Sequence, residues 1–142
     1  MRAALREAQA SLARDEVPVG CVVVHDGHVI GRGHNQVESL QDATAHAEIL
    51  AIGAASNALG SWRLHECTLY VTLEPCLMCA AAMVHARVQR VVFGAWDARA
   101  GAAGSMLDAF ALPGQVHRVD AFGGVLDAEC GELLRSFFAQ RR

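Results

Sequence analysis

The chain has 142 residues, 53% of them hydrophobic, with a formal net charge of -3. That fits one globular domain over residues 1–142 with an ample core, and the net charge gives no global electrostatic footprint for nucleic acid. No apolar run is long and charge-free enough to span a bilayer, no secretory leader pattern opens the chain, and five Cys, an odd count, argue against a disulfide scaffold. Cytoplasmic residence in a reducing compartment is therefore expected.

Leu5, Ala8 and Leu12 recur at helical spacing within Met1–Arg14, leaving Arg2, Arg6 and Arg14 for solvent, which predicts an amphipathic helix. Val17 to Val24 is rich in β-branched residues, and Asp26-Gly27 turns the chain before Val29-Ile30, so a hairpin is expected. Gly31, Gly33, His34 and Asn35 read as the start of a polar loop. It leads to a helix opening near Asp42 or Thr44, both suited to cap it, and closing at Asn57 and Gly60. Cys67 to Leu73 is a strand that runs into Glu74-Pro75-Cys76, where Pro75 marks the start of the next helix. Val88 to Phe93 is a further strand, and Gly94 to Gly104 a small-residue loop holding Trp96 and Asp97. A short last strand is expected at Val116–Val119. Asp127 then caps a helix in which Cys130, Leu133, Leu134, Phe137 and Phe138 repeat at helical offsets before Arg141-Arg142. Strands alternating with helices imply an α/β layered domain, with Cys21, Cys67 and Cys130 as small core residues.

The chemistry lies in His46-Ala47-Glu48 and Pro75-Cys76-Leu77-Met78-Cys79. His46, Cys76 and Cys79 can take three corners of a zinc tetrahedron and leave the fourth for water. Residues two apart inside a helix diverge by about 200°, so His46 and Glu48 share a site only if it lies off the helix N-terminus. Cys76 and Cys79, three apart, share one face of their helix. Two helix N-termini would then converge on one Zn2+, and dipoles and metal together favour thiolates. Glu48, not needed as a ligand, is placed to carry a proton beside the water. Any one of these residues alone is more often packing or surface; the combination resembles the signature of the zinc nucleobase deaminases.

Together with Glu16-Val17-Pro18-Val19-Gly20, Thr44-Ala45-His46-Ala47-Glu48, the run from Tyr70 to Cys79, Arg90 to Ala95, Gly101 to Ser105 and the Phe137-Phe138 helix end, these motifs make nearly the whole chain resemble the bacterial tRNA-specific adenosine deaminases of the cytidine deaminase-like superfamily. The resemblance implies a three-layer α/β/α fold around a mixed five-stranded sheet and one Zn2+ per chain. It also implies a homodimer whose subunits together bind a tRNA anticodon stem-loop and convert the wobble adenosine of an arginine tRNA to inosine. It carries zinc ligation over to His46, Cys76 and Cys79, and proton shuttling to Glu48. Asn35 matches a residue that contacts the flipped base, Asp97 one that contacts the anticodon loop, and Val19 and Leu73 apolar pocket positions. Ala43 departs from the Asp-Pro-Thr that usually precedes the zinc His, Trp96 stands at a variable position, and the chain lacks a basic C-terminal tail.

Two other readings share the metal residues. A deaminase of a free base or nucleoside (guanine, cytosine or cytidine) is favoured by the net charge of -3. A non-catalytic zinc domain binding RNA or protein would need a fourth protein ligand. Residue by residue, Asn35 and Asp97 could equally serve as a turn or cap, and His34 and His85 could contact phosphate or ribose but are more often surface or satisfied helix histidines. Arg135, Arg141 and Arg142 form a phosphate patch only if they cluster on the substrate face.

Overall fold

The computed structural model describes residues 1–141, and its sheet grows from the hairpin at Asp26-Gly27. Both turn residues have positive φ, 50° and 76°, matching the twist of a two-residue connection. It joins β1 (Gly20–His25) to β2 (His28–His34). β1 also pairs antiparallel with β3 (Cys67–Leu73), which continues in parallel to β4 (Arg90–Ala95) and β5 (Asp120–Phe122). The order β2-β1-β3-β4-β5 is the expected mixed five-stranded sheet.

Small residues on both partners bring the helices directly onto the strands. A Cβ at Gly20 would strike the backbone of Ala4 and Ala8 in α1 (Arg2–Leu12). Gly31 and Gly33 of β2 abut Ala47, Ala51 and Ala55 of α3 (Ala47–Leu59) in the same way. All these alanines are fully buried. Gly20 and Cys21 point to opposite faces, and Cys21 is paired with Gly33, so α1 and α3 lie on opposite sides of the sheet. α4 (Leu77–His85) shares the α3 side, where Cys21, Val23, Leu69, Val71, Val91 and Phe93 meet Leu64 and Met83 in the main core. α5 (Asp127–Ala139) packs on the α1 side, its Cys130 against Gly94. The three layers follow, each fully buried Val, Leu or Phe adding about 1.5–3 kcal/mol. Gly20→Ala should therefore destabilise the protein by about 1–3 kcal/mol, the usual cost of overpacking against a backbone that cannot yield. A lowered denaturant midpoint at unchanged slope is the expected reading.

Several boundaries differ from the sequence expectations. β1 begins at Gly20 rather than Val17, because the Val19 amide bonds the Val17 carbonyl (2.8 Å) in a tight turn and Pro18 has no N–H for a ladder. Gly31 to His34 belong to β2, not to a loop, and a short α2 (Val37–Leu40) follows. Neither Asp42 nor Thr44 caps α3. Asp42 accepts instead from the Thr44 amide (2.9 Å) and hydroxyl (2.7 Å), and His46 takes the N-cap position. Pro75 precedes the N-cap, which is Cys76. β4 starts at Arg90 because the Val88 amide closes α4 on Met83 (3.1 Å). The last strand is Asp120–Phe122 rather than Val116–Val119, where a His117 ring nitrogen lies 2.7 Å from the Val88 carbonyl in place of a ladder bond. Asp127 is the first helical residue of α5, and Leu126, at φ 54°, stands as N-cap. Cys21, Cys67 and Cys130 are buried and unpaired, as expected. Among the described residues no helix is long and apolar enough to cross a membrane.

Candidate active site

The chain ends of several elements meet at one edge of the sheet. Val19 enters β1, Asn35 leaves β2, Leu73 closes β3 and Asp97 follows β4. His46 and Cys76, as N-caps of α3 and α4, bring both helix N-termini to the same place. Ser11 of α1, itself fully buried, fixes part of this edge by donating its hydroxyl to the carbonyls of Asn35 (3.0 Å) and Val19 (3.4 Å). The Asn35 amide in turn bonds the Val19 carbonyl (3.0 Å).

Between them lies a cavity of about 720 Å³ lined by Val19, Asn35, His46, Glu48, Leu73, Cys76 and Asp97, while Cys79 sits buried behind it. Every site residue expected from the sequence is thus gathered in or beside one cavity. The ligand atoms of His46, Cys76 and Cys79 lie within 4.8 Å of one another, and among the described residues they are the one such set. His46 Nδ1 is 3.6 Å from the Cys76 Sγ and 3.5 Å from the Cys79 Sγ. Two sulfurs and an imidazole converging at this spacing are the donor set zinc prefers. Glu48 is outside the converging set, 4% exposed beside Cys79.

The three side chains are electrostatically coupled. The hydrogen bond from Cys79 holds the Cys76 thiol down at about 4 while the same bond pushes Cys79 up. The bond to Cys76 likewise raises His46. The set shares protons that a metal ion displaces on binding. Burial raises the Glu48 carboxyl, which suits a group that must accept and return a proton.

Among the described residues the Asn35 carboxamide has no hydrogen-bond partner, although the residue is only 8% exposed and lines the cavity; no Asx turn occupies it. Asp97 does cap its own loop, accepting from the amides of Arg99 (3.0 Å) and Ala100 (3.2 Å). Arg141 reaches the rim, its guanidinium 3.5 Å above the Phe137 ring and paired with Asp15. Arg142 lies outside the described residues. Arg135 pairs with Glu132 away from the cavity, and His34 turns inward to Glu7 (3.4 Å), so neither joins a phosphate patch. Sequence reasoning passed over Glu16 and Glu74, buried carboxylates in the cavity lining. Their signal was an acid beside a Pro-bearing turn at a strand end, in otherwise apolar surroundings. Burial works to raise both carboxyls, but hydrogen bonds from Ser39 and Glu38 to Glu16, and from Asp97, Ser105 and Ala103 to Glu74, outweigh it and hold both below the ordinary value.

Residues 1–95 match the cytidine and deoxycytidylate deaminase zinc-binding region. A tRNA-specific adenosine deaminase of Bacillus subtilis (strain 168) is 46% identical over 142 residues, covering 100% of this chain and 88% of the relative. The chain belongs to the tRNA-specific adenosine deaminase family. It is accordingly a zinc-dependent deaminase. A solved structure from a study of A-to-I editing by tRNA:A34 deaminases at the wobble position of transfer RNA superposes with a TM-score of 0.91 at 48% identity, over 94% of this chain and 97% of that one. A guanine deaminase of Nitrosomonas europaea shares the fold more distantly, with a TM-score of 0.82 at 26% identity over 96% of this chain and 81% of that one. The family match spans His46, Cys76 and Cys79, so the converging set is where a zinc-binding deaminase would hold its metal.

Proposed function

We propose that residues 1–142 form one deaminase domain that converts the wobble adenosine of a tRNA anticodon to inosine, in the cytoplasm, with an arginine tRNA as substrate. The observation that carries this reading is full-length likeness to tRNA-specific adenosine deaminases, closer than the likeness to a guanine deaminase. His46, Cys76 and Cys79 hold one Zn2+ per chain in this reading. Bound there, zinc supplies the Lewis acidity that lowers the pKa of water from about 15.7 to about 7. Glu48 takes the proton of the attacking water and delivers it to a ring nitrogen as the C–O bond forms at the amine-bearing carbon. Glu48 then takes the second proton from the new hydroxyl and passes it to the amino group as the C–N bond breaks, so that the carbon is left as a carbonyl and ammonia departs. Asn35 meets the edge of the base with its carboxamide, Val19 and Leu73 supply apolar contact, and the Asp97 loop meets the anticodon loop. A loop nucleotide costs least to unstack, which favours an anticodon over a duplex.

The homodimer belongs to the same reading. Met106, Leu112, Val116 and Phe122, between 50% and 69% exposed, come from the segment joining β4 to β5 and its end, and such apolar surface suits burial against a second subunit. Light scattering at micromolar concentration tests it, and a monomer deaminating a stem-loop at full rate would defeat the shared site.

Turnover of an anticodon stem-loop, compared with free adenosine, guanine, cytosine and cytidine, is the deciding experiment. Efficient deamination of a free base with none of the stem-loop would replace this reading with the small-molecule one. Phosphate and base contacts should also separate. Arg141→Ala is expected to lower the slope of log affinity against log salt by about 0.7, one phosphate contact on a single strand, with little change in the chemical step at saturation. Asn35→Ala should leave that slope alone and slow the chemical step or relax base choice. The opposite pattern would reverse the two assignments.

A further inference from the structure

Two buried carboxylates stand in the lining of the cavity outside the metal set. Glu16 and Glu74 are each 2% exposed. Glu16 accepts from the Ser39 amide (2.6 Å), the Ser39 hydroxyl (2.7 Å) and the Glu38 amide (3.3 Å), all on α2. Glu74 accepts from the amides of Asp97 (2.8 Å), Ala103 (3.1 Å) and Ser105 (2.9 Å), and from the Ser105 hydroxyl (2.5 Å). Every group named here is a donor. A carboxylate offers only acceptors, whereas an amide in its place would set NH2 against N–H and leave donors unpaired. The loop after β4 also wraps Glu74 so closely that a Cβ at Gly101 would run into the carboxylate.

The segments held in this way are opposite walls of the cavity. α2 follows β2, at one end of the strand row, and contributes Val37 and Glu38; the second loop follows β4, across β1 and β3, and contributes Asp97 and Ala100. We propose that Glu16 and Glu74 are paired positioning residues, each anchoring one wall, so that together they set the width of the mouth that admits an unstacked loop nucleotide. The substrate in this proposal rests on the tRNA reading above; the anchoring does not.

The test uses the intact zinc-loaded protein. Hydrogen exchange of backbone amides and steady-state deamination of an anticodon stem-loop are measured for wild type, Glu16→Gln, Glu74→Gln and the milder Ser39→Ala and Ser105→Ala. Glu74→Gln should speed exchange at Asp97, Ala103 and Ser105 but not at Glu38 and Ser39, and Glu16→Gln should do the reverse. Each should raise KM for the stem-loop on the order of tenfold, as for one lost buried hydrogen bond, with kcat changed much less. The serine variants should move both readings the same way by less, and they decide the matter if a glutamine variant fails to fold. Unchanged exchange overturns the anchoring. Faster exchange with unchanged KM overturns its link to substrate, and a fall in kcat at fixed KM puts the carboxylates in the chemical step instead. If wild-type protein leaves the stem-loop unmodified, the substrate assignment fails while the exchange measurement still decides the anchoring.

Discussion

Glu48→Ala is expected to keep the fold and the zinc while lowering turnover by about 10²–10⁴, the range that positioned proton transfer supplies. Glu48 stands outside the converging ligand set, so its loss removes no donor to the metal. Its side chain is 4% exposed, and the first turn of α3 that carries it is fixed by His46 as N-cap and by packing of Ala47 and Ala51 on β2. Truncation there leaves a small polar void rather than a broken core. Glu48→Gln separates proton transfer from packing, because it keeps the volume and removes the basic oxygen. Both variants should fall together, with zinc content and melting temperature near wild type. Substantial turnover in Glu48→Gln would mean that another group carries the proton; loss of zinc in either variant would make Glu48 a ligand or its close support.

What was legible in the sequence follows from what a side chain reports about its own neighbourhood. The strand at Cys67–Leu73 has the bounds expected from the sequence, because the run itself and the Glu74-Pro75-Cys76 that ends it are local signals. The gathering of His46, Cys76 and Cys79 was legible because metal chemistry restricts both donor type and spacing. The cap of α3 was not, because Asp42 had a nearer partner in Thr44 and satisfied it before the helix began. Gly31 and Gly33 looked like loop residues because glycine is scarce in strands, yet they sit in β2 where α3 presses on the sheet. A sequence shows the glycine and not the helix that needs its missing Cβ. Glu16 and Glu74 were hidden for the same reason, since their partners are backbone amides from segments more than twenty residues away.

Removing zinc is expected to abolish activity while leaving the fold, and this separates a catalytic metal from a structural staple. The main core between the sheet and α3 and α4 includes Cys79 but is built mostly from apolar side chains that bind no metal, among them Cys21, Val23, Leu69, Val71, Phe93, Leu64 and Met83, and the sheet ladder closes without the metal ligands. Chelation should therefore lower the melting temperature only by the loss of ligand binding to the native state, while far-ultraviolet circular dichroism stays near its starting value. Turnover should fall by more than about a thousandfold, because water loses the roughly nine units of pKa depression that zinc supplies, and added Zn2+ should restore it. Cys76→Ser and Cys79→Ser should copy the chelated state irreversibly, since a hydroxyl of similar size stays protonated where a thiolate is needed. Zinc retention should weaken as pH falls, because protons compete for the imidazole and both sulfurs. Metal analysis, dichroism and turnover on the same samples decide the outcome. Cooperative unfolding on chelation would identify a closed structural site of the zinc-finger kind, and full turnover in metal-free protein would remove zinc from the reaction altogether.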